Sequence, residues 1–244
     1  MANVSFGFVL TTLSFGTQVL MWNDKSGFGN SFSNSTGASQ AGYNATSSFR
    51  GTPSVEFDGA AHRYFTIRQI TQLTASNQAT VFAFVQMKKP TNGSHQVIYE
   101  HSTNHNSANG FDLGLGTTAG THPLSFFGGM GTNAGTPHSV TGSLIPHMPP
   151  ITPNSGVILT ALYDKEAATD VQVTLSANLA PVPVTVVSSQ ALNANWAAGL
   201  SYLGGRGGGS LYYSGSMMEI IVFNHILSGS EIVQIQNYLS SRYF

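Results

Sequence analysis

Met217-Met218-Glu219-Ile220-Ile221-Val222-Phe223-Asn224-His225-Ile226-Leu227-Ser228-Gly229-Ser230-Glu231 is the stretch on which the fold turns. Met218, Ile220 and Val222 alternate with Met217, Glu219, Ile221 and Phe223, and both sets are largely apolar, as in a strand covered on its two faces. Ser228 and Glu231 stand three apart. At that spacing the hydroxyl caps a first-turn N–H while the carboxylate reaches back to the serine N–H, which predicts a helix beginning near 228. Ile232, Ile235 and Leu239, with Val233 and Tyr238 at the margins, give that helix one apolar side to dock, whereas Gln234, Gln236, Asn237 and Ser241 fall mostly elsewhere. No other segment reads as a helix.

Upstream the signals are those of strands. Val81, Ala83, Val85 and Met87 oppose Phe82 and Phe84, and 157–164 is similar, so both suit interior strands. Val171, Val173 and Leu175 alternate with Gln172, Thr174 and Ser176, the pattern of a strand with one wet face. Pro181 and Pro183 push 182–187 toward a sheet edge or an irregular entry. Shorter strands are expected at 96–101, 111–115, 124–127 and 200–203. Residues 1–20 read as an N-terminal strand or arm. Residues 128–155, with Pro137, Pro146, Pro149, Pro150 and Pro153, read as one long connection, either a functional loop, a contact arm or a plain surface excursion. The whole, 1–244, is expected to be a single all-β domain: an antiparallel two-sheet jelly-roll sandwich with one short C-terminal helix.

Charged residues make up 8% of the chain, where ordinary soluble domains carry roughly 25%, and Ser, Thr, Asn and Gly take the polar positions instead. Nine Lys plus Arg against ten Asp plus Glu leave no basic stripe, which excludes nucleic acid as a partner. The absence of cysteine removes disulfide frameworks and thiolate metal sites. Residues 1–10 lack the positive flank and long apolar core of a secretion signal, and no span approaches the roughly 20 apolar residues that cross a bilayer, so membrane insertion is not expected. Asn3, Asn34, Asn44 and Asn92 begin N-x-Ser/Thr triplets, which chance supplies in so Asn- and Ser-rich a chain.

Three islands occur in order: Trp22-Asn23-Asp24-Lys25-Ser26-Gly27, then Val55-Glu56-Phe57-Asp58-Gly59, then Gly204 through Ser216–Asn224 to the closing helix. Together they resemble the concanavalin A-like lectin/glucanase superfamily, in particular its LamG-type jelly-roll modules. The resemblance runs from about Trp22 to the C-terminus. It implies that 80–87 and 157–164 are core strands, that the Gly-rich run is a turn before the last one, and that 128–155 is an insertion.

Glu56-Phe57-Asp58 is the tempting catalytic motif, because alternate residues of one strand place two carboxyls on one face, as retaining glycoside hydrolysis needs. Glucanases of the superfamily carry a third carboxylate on that strand, and here Gly59, Ala60 and Ala61 follow. The structural alternative makes Phe57 core, Asp58 the turn acceptor and Gly59 a residue in a conformation only glycine takes cheaply. No enzyme is therefore expected. His95, His101, His105 and His122 sit in loop-like sequence and do not form a metal motif. Gly204-Gly205-Arg206-Gly207-Gly208-Gly209 lacks the Lys-Ser/Thr ending of a phosphate loop. Asp24 and Asp58 are the weak Ca2+ candidates; some superfamily members bind calcium, yet two carboxylates so distant in sequence do not supply its oxygen cage, and no cofactor is favoured.

Trp196, Tyr202, Tyr212 and Tyr213, beside Asn193, Asn195 and Arg206, are the candidate ligand-binding group, an aromatic rim on which a glycan could stack if the rings are exposed. Three functions follow, in this order. The first is a non-catalytic structural or adhesive virion surface protein, of the phage capsid-decoration or tail kind, contacting other subunits as a homo-oligomer. The second is a carbohydrate-binding lectin module of a secreted or cell-surface system. A glycoside hydrolase comes last. The expected location is correspondingly the virion surface or the extracellular space.

Overall fold

The computed structural model describes residues 4–6, 16–46, 49–67, 69–87, 95–101, 109–115, 125–131, 138–143, 156–168, 171–182, 184–186, 194–206 and 209–244. In chain order the first strands are β1 (Val4–Phe6), β2 (Met21–Trp22), β3 (Phe32–Ser33), β4 (Gly42–Asn44), β5 (Ser54–Phe57) and β6 (Phe65–Ile67). A single helical turn, α1 (Thr71–Thr74), precedes β7 (Gln78–Met87), β8 (Gln96–His101), β9 (Phe111–Leu115), β10 (Ser125–Met130) and β11 (His138–Ser143). Then come β12 (Gly156–Asp164), β13 (Val173–Ala177), β14 (Ala180–Val182), β15 (Val184–Val186), β16 (Ser201–Leu203), β17 (Gly215–Phe223) and the helix α2 (Gly229–Tyr243).

Two antiparallel sheets form a jelly-roll sandwich, as expected from the sequence. One has eight strands in the order β14-β13-β12-β7-β17-β5-β4, with β1 also on β17; the other has nine, in the order β15-β11-β10-β9-β8-β16-β6-β3-β2. The alternation in β7 sorts as read: Val81, Ala83 and Val85 enter the core between the sheets, while Phe82 and Phe84 enter a second apolar layer beneath α2. All nine residues of β17 are buried. Its face assignment differs from the sequence reading at one point. A register shift between Met217 and Glu219 inserts a residue opposite β7, so Met217, not Met218, joins Ile220 and Val222 in the inter-sheet core.

The helix starts as the capping box requires: Ser228 Oγ accepts from the Glu231 N–H, and the Glu231 carboxylate accepts from the Ser228 N–H at 2.9 Å. Ile232, Ile235, Leu239 and Tyr243 pack on the second layer, with Tyr243 stacked on Phe84 at 4.3 Å, while Val233 and Tyr238 stay exposed. Gln236 departs from expectation. It is buried, and its amide donates to Thr160 Oγ1 (2.9 Å) and Ser176 Oγ (3.2 Å), so it reaches hydroxyls on the outer face of β12 and β13 that would otherwise be covered without partners. Glu219 ties the other end down by accepting from the hydroxyls of Tyr243 (2.8 Å) and Tyr238 (3.1 Å), with Arg242 at 3.6 Å. Burial raises its carboxyl above the usual range against the pull of those partners.

The span 128–155 is not one loop. It holds the end of β10 and all of β11, paired from Ser125↔Ser143 to Met130↔His138; 132–137 and 144–155 lie outside the described residues. Gly128, Gly129 and Gly142 blank the alternation that would have marked these strands. The proline-flanked run splits into β14 and β15, which are edge strands of different sheets, as prolines favour. Within 1–20 the structure describes β1 and 16–20.

Removing the cap by Ser228→Ala is expected to cost about 1 kcal/mol, and Leu239→Ala about 3 kcal/mol through the cavity left under α2. Urea unfolding of both variants against the unaltered chain measures this.

Candidate functional site

One row of residues runs across the nine-stranded sheet through the pairs Thr66↔Tyr202, Tyr202↔Glu100, Glu100↔Asp112 and Asp112↔Gly129. The neighbours Phe65, Leu203, Tyr99 and Phe111 point into the sandwich core, so by alternation the row faces away from it. Glu100 and Asp112 are carboxylates on fully buried strands, and neither has any solvent exposure. What covers them includes Arg206. Its Nε donates to Glu100 Oε1 at 3.2 Å and its Nη2 pairs with the Asp112 carboxylate, leaving the guanidinium side chain 15% exposed.

The chain delivers Arg206 through a turn that needs glycine. Gly204 has φ +81, and a Cβ there would stand 2.3 Å from Phe57 Cδ1. The Arg206 N–H then donates to the Ser210 carbonyl at 2.8 Å, closing the turn. Beyond it, Tyr212 stacks on His62 (4.4 Å between rings, 12° apart) and meets Tyr64 at 6.3 Å. His62 is exposed, whereas Tyr212 and Tyr64 are half-buried. Burial, and then the neighbouring Tyr64, push the Tyr212 phenol up, so it stays a neutral O–H donor at ordinary pH. The Tyr212 ring packs on Gly205, where a Cβ would stand 2.9 Å from its Cδ1, so the ring platform and the fixed guanidinium are carried by one turn.

The structure keeps Arg206 and Tyr212 on one turn, places Tyr202 opposite Glu100 in the adjoining strand but buried, at 5% exposure, and separates the rest of the predicted group. Trp196 and Tyr213 are core residues and Tyr202 is buried as well, which corrects the expectation of an exposed rim. Trp196 donates from Nε1 to the Gln78 carbonyl (3.1 Å), packs edge-on to Phe111 at 4.8 Å and carries Lys165 Nζ 4.0 Å above its ring. Tyr213 sends its hydroxyl to the Gln86 carbonyl at 2.7 Å. Tyr212 and Tyr213 are adjacent in sequence and lie on opposite sides of one extended segment, which proximity in sequence could not reveal. Asn195 is exposed, with its carbonyl accepting from the Asn109 amide, and Asn193 lies outside the described residues. Sequence reasoning missed Glu100, Asp112, His62 and Tyr64. The available signal was a carboxylate inside each of two strands, Asp112 between Phe111 and Leu113 and Glu100 between Tyr99 and His101.

Asp24 accepts from the Ser26 N–H (2.7 Å), the Ser26 hydroxyl (2.7 Å) and the Asn30 N–H (2.8 Å), and Asp58 accepts from the Ala60 N–H at 3.0 Å; each carboxylate closes its own turn. No group of three His, Asp or Glu residues placed to hold a metal occurs among the described residues. Glu56 is taken up by hydroxyls, Ser54 at 2.7 Å and Ser216 at 2.8 Å. Gly59 does not occupy a left-handed conformation as expected; it is required by space, because a Cβ would lie 2.7 Å from Ser214 Oγ and 3.0 Å from the Tyr212 carbonyl. His95 is half-buried, and His105 and His122 lie outside the described residues. His101 is inside the core, with Nδ1 2.9 Å from Ser201 Oγ.

No protein-family model matches the chain, and neither does any curated protein. Solved structures do. The binding domain of Paraclostridial Mosquitocidal Protein 1 superposes with a TM-score of 0.65 at 11% identity, over 97% of this chain and 52% of that one. The CBM40 of Ruminococcus gnavus IT-sialidase gives 0.52 at 12%, over 97% and 100%; that CBM40 also matches, at 0.50 and 16% over 68% and 87%, in a structure bound to α2,6-sialyllactose. The NanB sialidase of Streptococcus pneumoniae gives 0.51 at 16%, over 79% of this chain and 27% of that chain, so the present chain spans about a quarter of the sialidase. At these identities the likeness is one of fold, a jelly-roll sandwich, and it does not reach the finer LamG-type grouping.

Burial lowers the His101 imidazole to about 4 from the usual 6.5. Between those values the unfolded chain takes up the proton first, so His101 contributes stability that is whole above pH 6.5 and is lost as pH falls toward 4. The loss is at most about 3 kcal/mol. His101→Gln is expected to flatten the pH dependence of the urea midpoint within that window.

Proposed function

We propose that this protein is a non-catalytic carbohydrate-binding module acting outside cells, which docks a glycan beside the outer face of its nine-stranded sheet. Tyr212, stacked on His62 and flanked by Tyr64, presents the ring surface on which a sugar's C–H face packs, while Arg206 and the tyrosine hydroxyls meet its hydroxyls. Tyr202, paired with Glu100 across the sheet, is buried and presents little of its ring. The observation that carries the reading is this partly exposed aromatic platform set against an arginine immobilised by two buried carboxylates. The fold shared with a CBM40 that has been solved bound to α2,6-sialyllactose supports it.

Within that fold class the order of the segments at 22–27, 55–59 and 204–239 supports membership of the LamG-type modules of the concanavalin A-like superfamily. Hydrolysis fits the geometry poorly. Glu100 and Asp112 are buried beneath Arg206, and Glu56 is held by serine hydroxyls, so neither offers an accessible carboxyl pair across a scissile bond. The virion-surface reading rests on composition and stands behind glycan recognition, which the comparisons favour.

A glycan array probed with the full chain should yield binders, and Tyr212→Ala should weaken them by about tenfold or more with the thermal midpoint unchanged. An array without binders, or a Tyr212→Ala variant that binds as the unaltered chain does, would sink the proposal.

A further inference from the structure

We infer that His62 contacts the ligand of this site directly, its imidazole being the outer leaf of a two-ring platform of which Tyr212 is the inner leaf. This rests on the glycan-binding reading of the same surface and goes on to the residue that meets the sugar. The two rings lie nearly parallel, 4.4 Å apart with 12° between their planes, so each covers one face of the other. Tyr212 is half-buried, and its Cδ1–Cε1 side is closed off by Gly205, where a Cβ would stand 2.9 and 3.3 Å away. His62 is exposed, and among the described residues no hydrogen bond, ion pair or ring contact other than the Tyr212 stack engages its imidazole. The face of the pair that stays open is the outer face of His62.

The backbone supports the assignment independently. His62 has φ +53 and Leu211, the residue before Tyr212, has φ +51, so both halves of the stack hang from left-handed positions that carry side chains. Glycine takes that conformation freely and asparagine with little strain, whereas other residues hold it only where their surroundings impose it. On one side the Leu211 carbonyl accepts from the Val97 N–H at 2.8 Å, tying the stack to β8; on the other the His62 N–H donates to the Gly59 carbonyl at 3.3 Å, closing the turn. Neither bond calls for an imidazole, since any residue but proline supplies the same N–H. The stack on Tyr212 leaves the second face of His62 in water, and a pyranose that presents a patch of C–H bonds on one side of its ring is the ligand such a face accepts.

The test uses the full chain and an oligosaccharide that binds it on an array, titrated calorimetrically at one pH against the unaltered chain, His62→Asn and His62→Phe. Asparagine suits the left-handed turn and lacks a ring, so His62→Asn is expected to keep or raise the thermal midpoint and to weaken binding by about tenfold. His62→Phe restores a ring face and is expected to bind within about threefold of the unaltered chain. In proton NMR the His62 ring resonances should move when the sugar is added, which a residue that only supports Tyr212 does not require. If the midpoint of His62→Asn falls, His62→Phe and the NMR shift decide. A His62→Asn variant that binds as the unaltered chain does, or His62 resonances that stay in place, would overturn the inference, while binding that Tyr212→Ala weakens leaves the glycan reading standing. Equal losses in His62→Asn and His62→Phe would also overturn it, by showing that the sugar does not use the ring face. Absence of binding to every glycan would remove both.

Discussion

The layer formed by β12, β7 and β17 is apolar on both faces, and the rest of the molecule is arranged around covering it. One face is met by the nine-stranded sheet; the other would lie open without α2. Each fully buried side chain of leucine or aromatic size contributes about 2 kcal/mol, so leaving Phe82, Phe84, Ile221 and Phe223 in water would forfeit a sum comparable with the whole stability of a domain. A helix also brings polar groups to that face, and they are matched one by one. Gln236 serves Thr160 and Ser176, while Tyr238 and Tyr243 serve Glu219. The lid is thus specified by hydrogen bonds as well as by area, which fixes its position along β17.

With the helix on one outer face, the other outer face is where the sheet is left to polar chemistry. Glu100 and Asp112 cannot be buried as charges unless paired, and Arg206 pairs both. Such a triad adds little net stability over apolar residues of the same size, but removing one member strands the others, so it holds the Gly-rich turn in one place. Tyr212 follows from that turn. The ring platform is positioned by an electrostatic constraint several residues away, which is the form of support that a binding surface on a loop requires.

The helix, its cap, the two-faced strand and the proline-marked sheet edges were legible because each has a local signature: a spacing, an alternation or a missing N–H. The bulge at Met217–Glu219 was not, since an inserted residue leaves every neighbour apolar and the alternation continues unbroken in the letters. The start of β10 was read at 124–127, but its second half and β11 were hidden by their glycines. The site was half legible. Arg206 and Tyr212 announce themselves by type, but whether an aromatic in an extended segment is buried or exposed depends on the sheet it packs against, and Trp196, Tyr202 and Tyr213 are buried. Glu100 and Asp112 meet only through the β8–β9 register, a relation between segments that no local pattern encodes.

The scarcity of charge takes on a different meaning once the acidic residues are located. Asp24 and Asp58 close turns, Glu231 caps a helix, Glu219 anchors its far end, Glu56 gathers serine hydroxyls, and Glu100 and Asp112 hold Arg206. Seven of the ten carboxylate side chains are thereby engaged in holding the fold, so few are left to create a field at the surface. A ligand approaching such a surface is not steered, and its affinity has to come from ring stacking and hydrogen bonds made at contact. Under the proposed glycan reading, such a module would gain strength by repetition, where effective concentration does what single-site affinity does not.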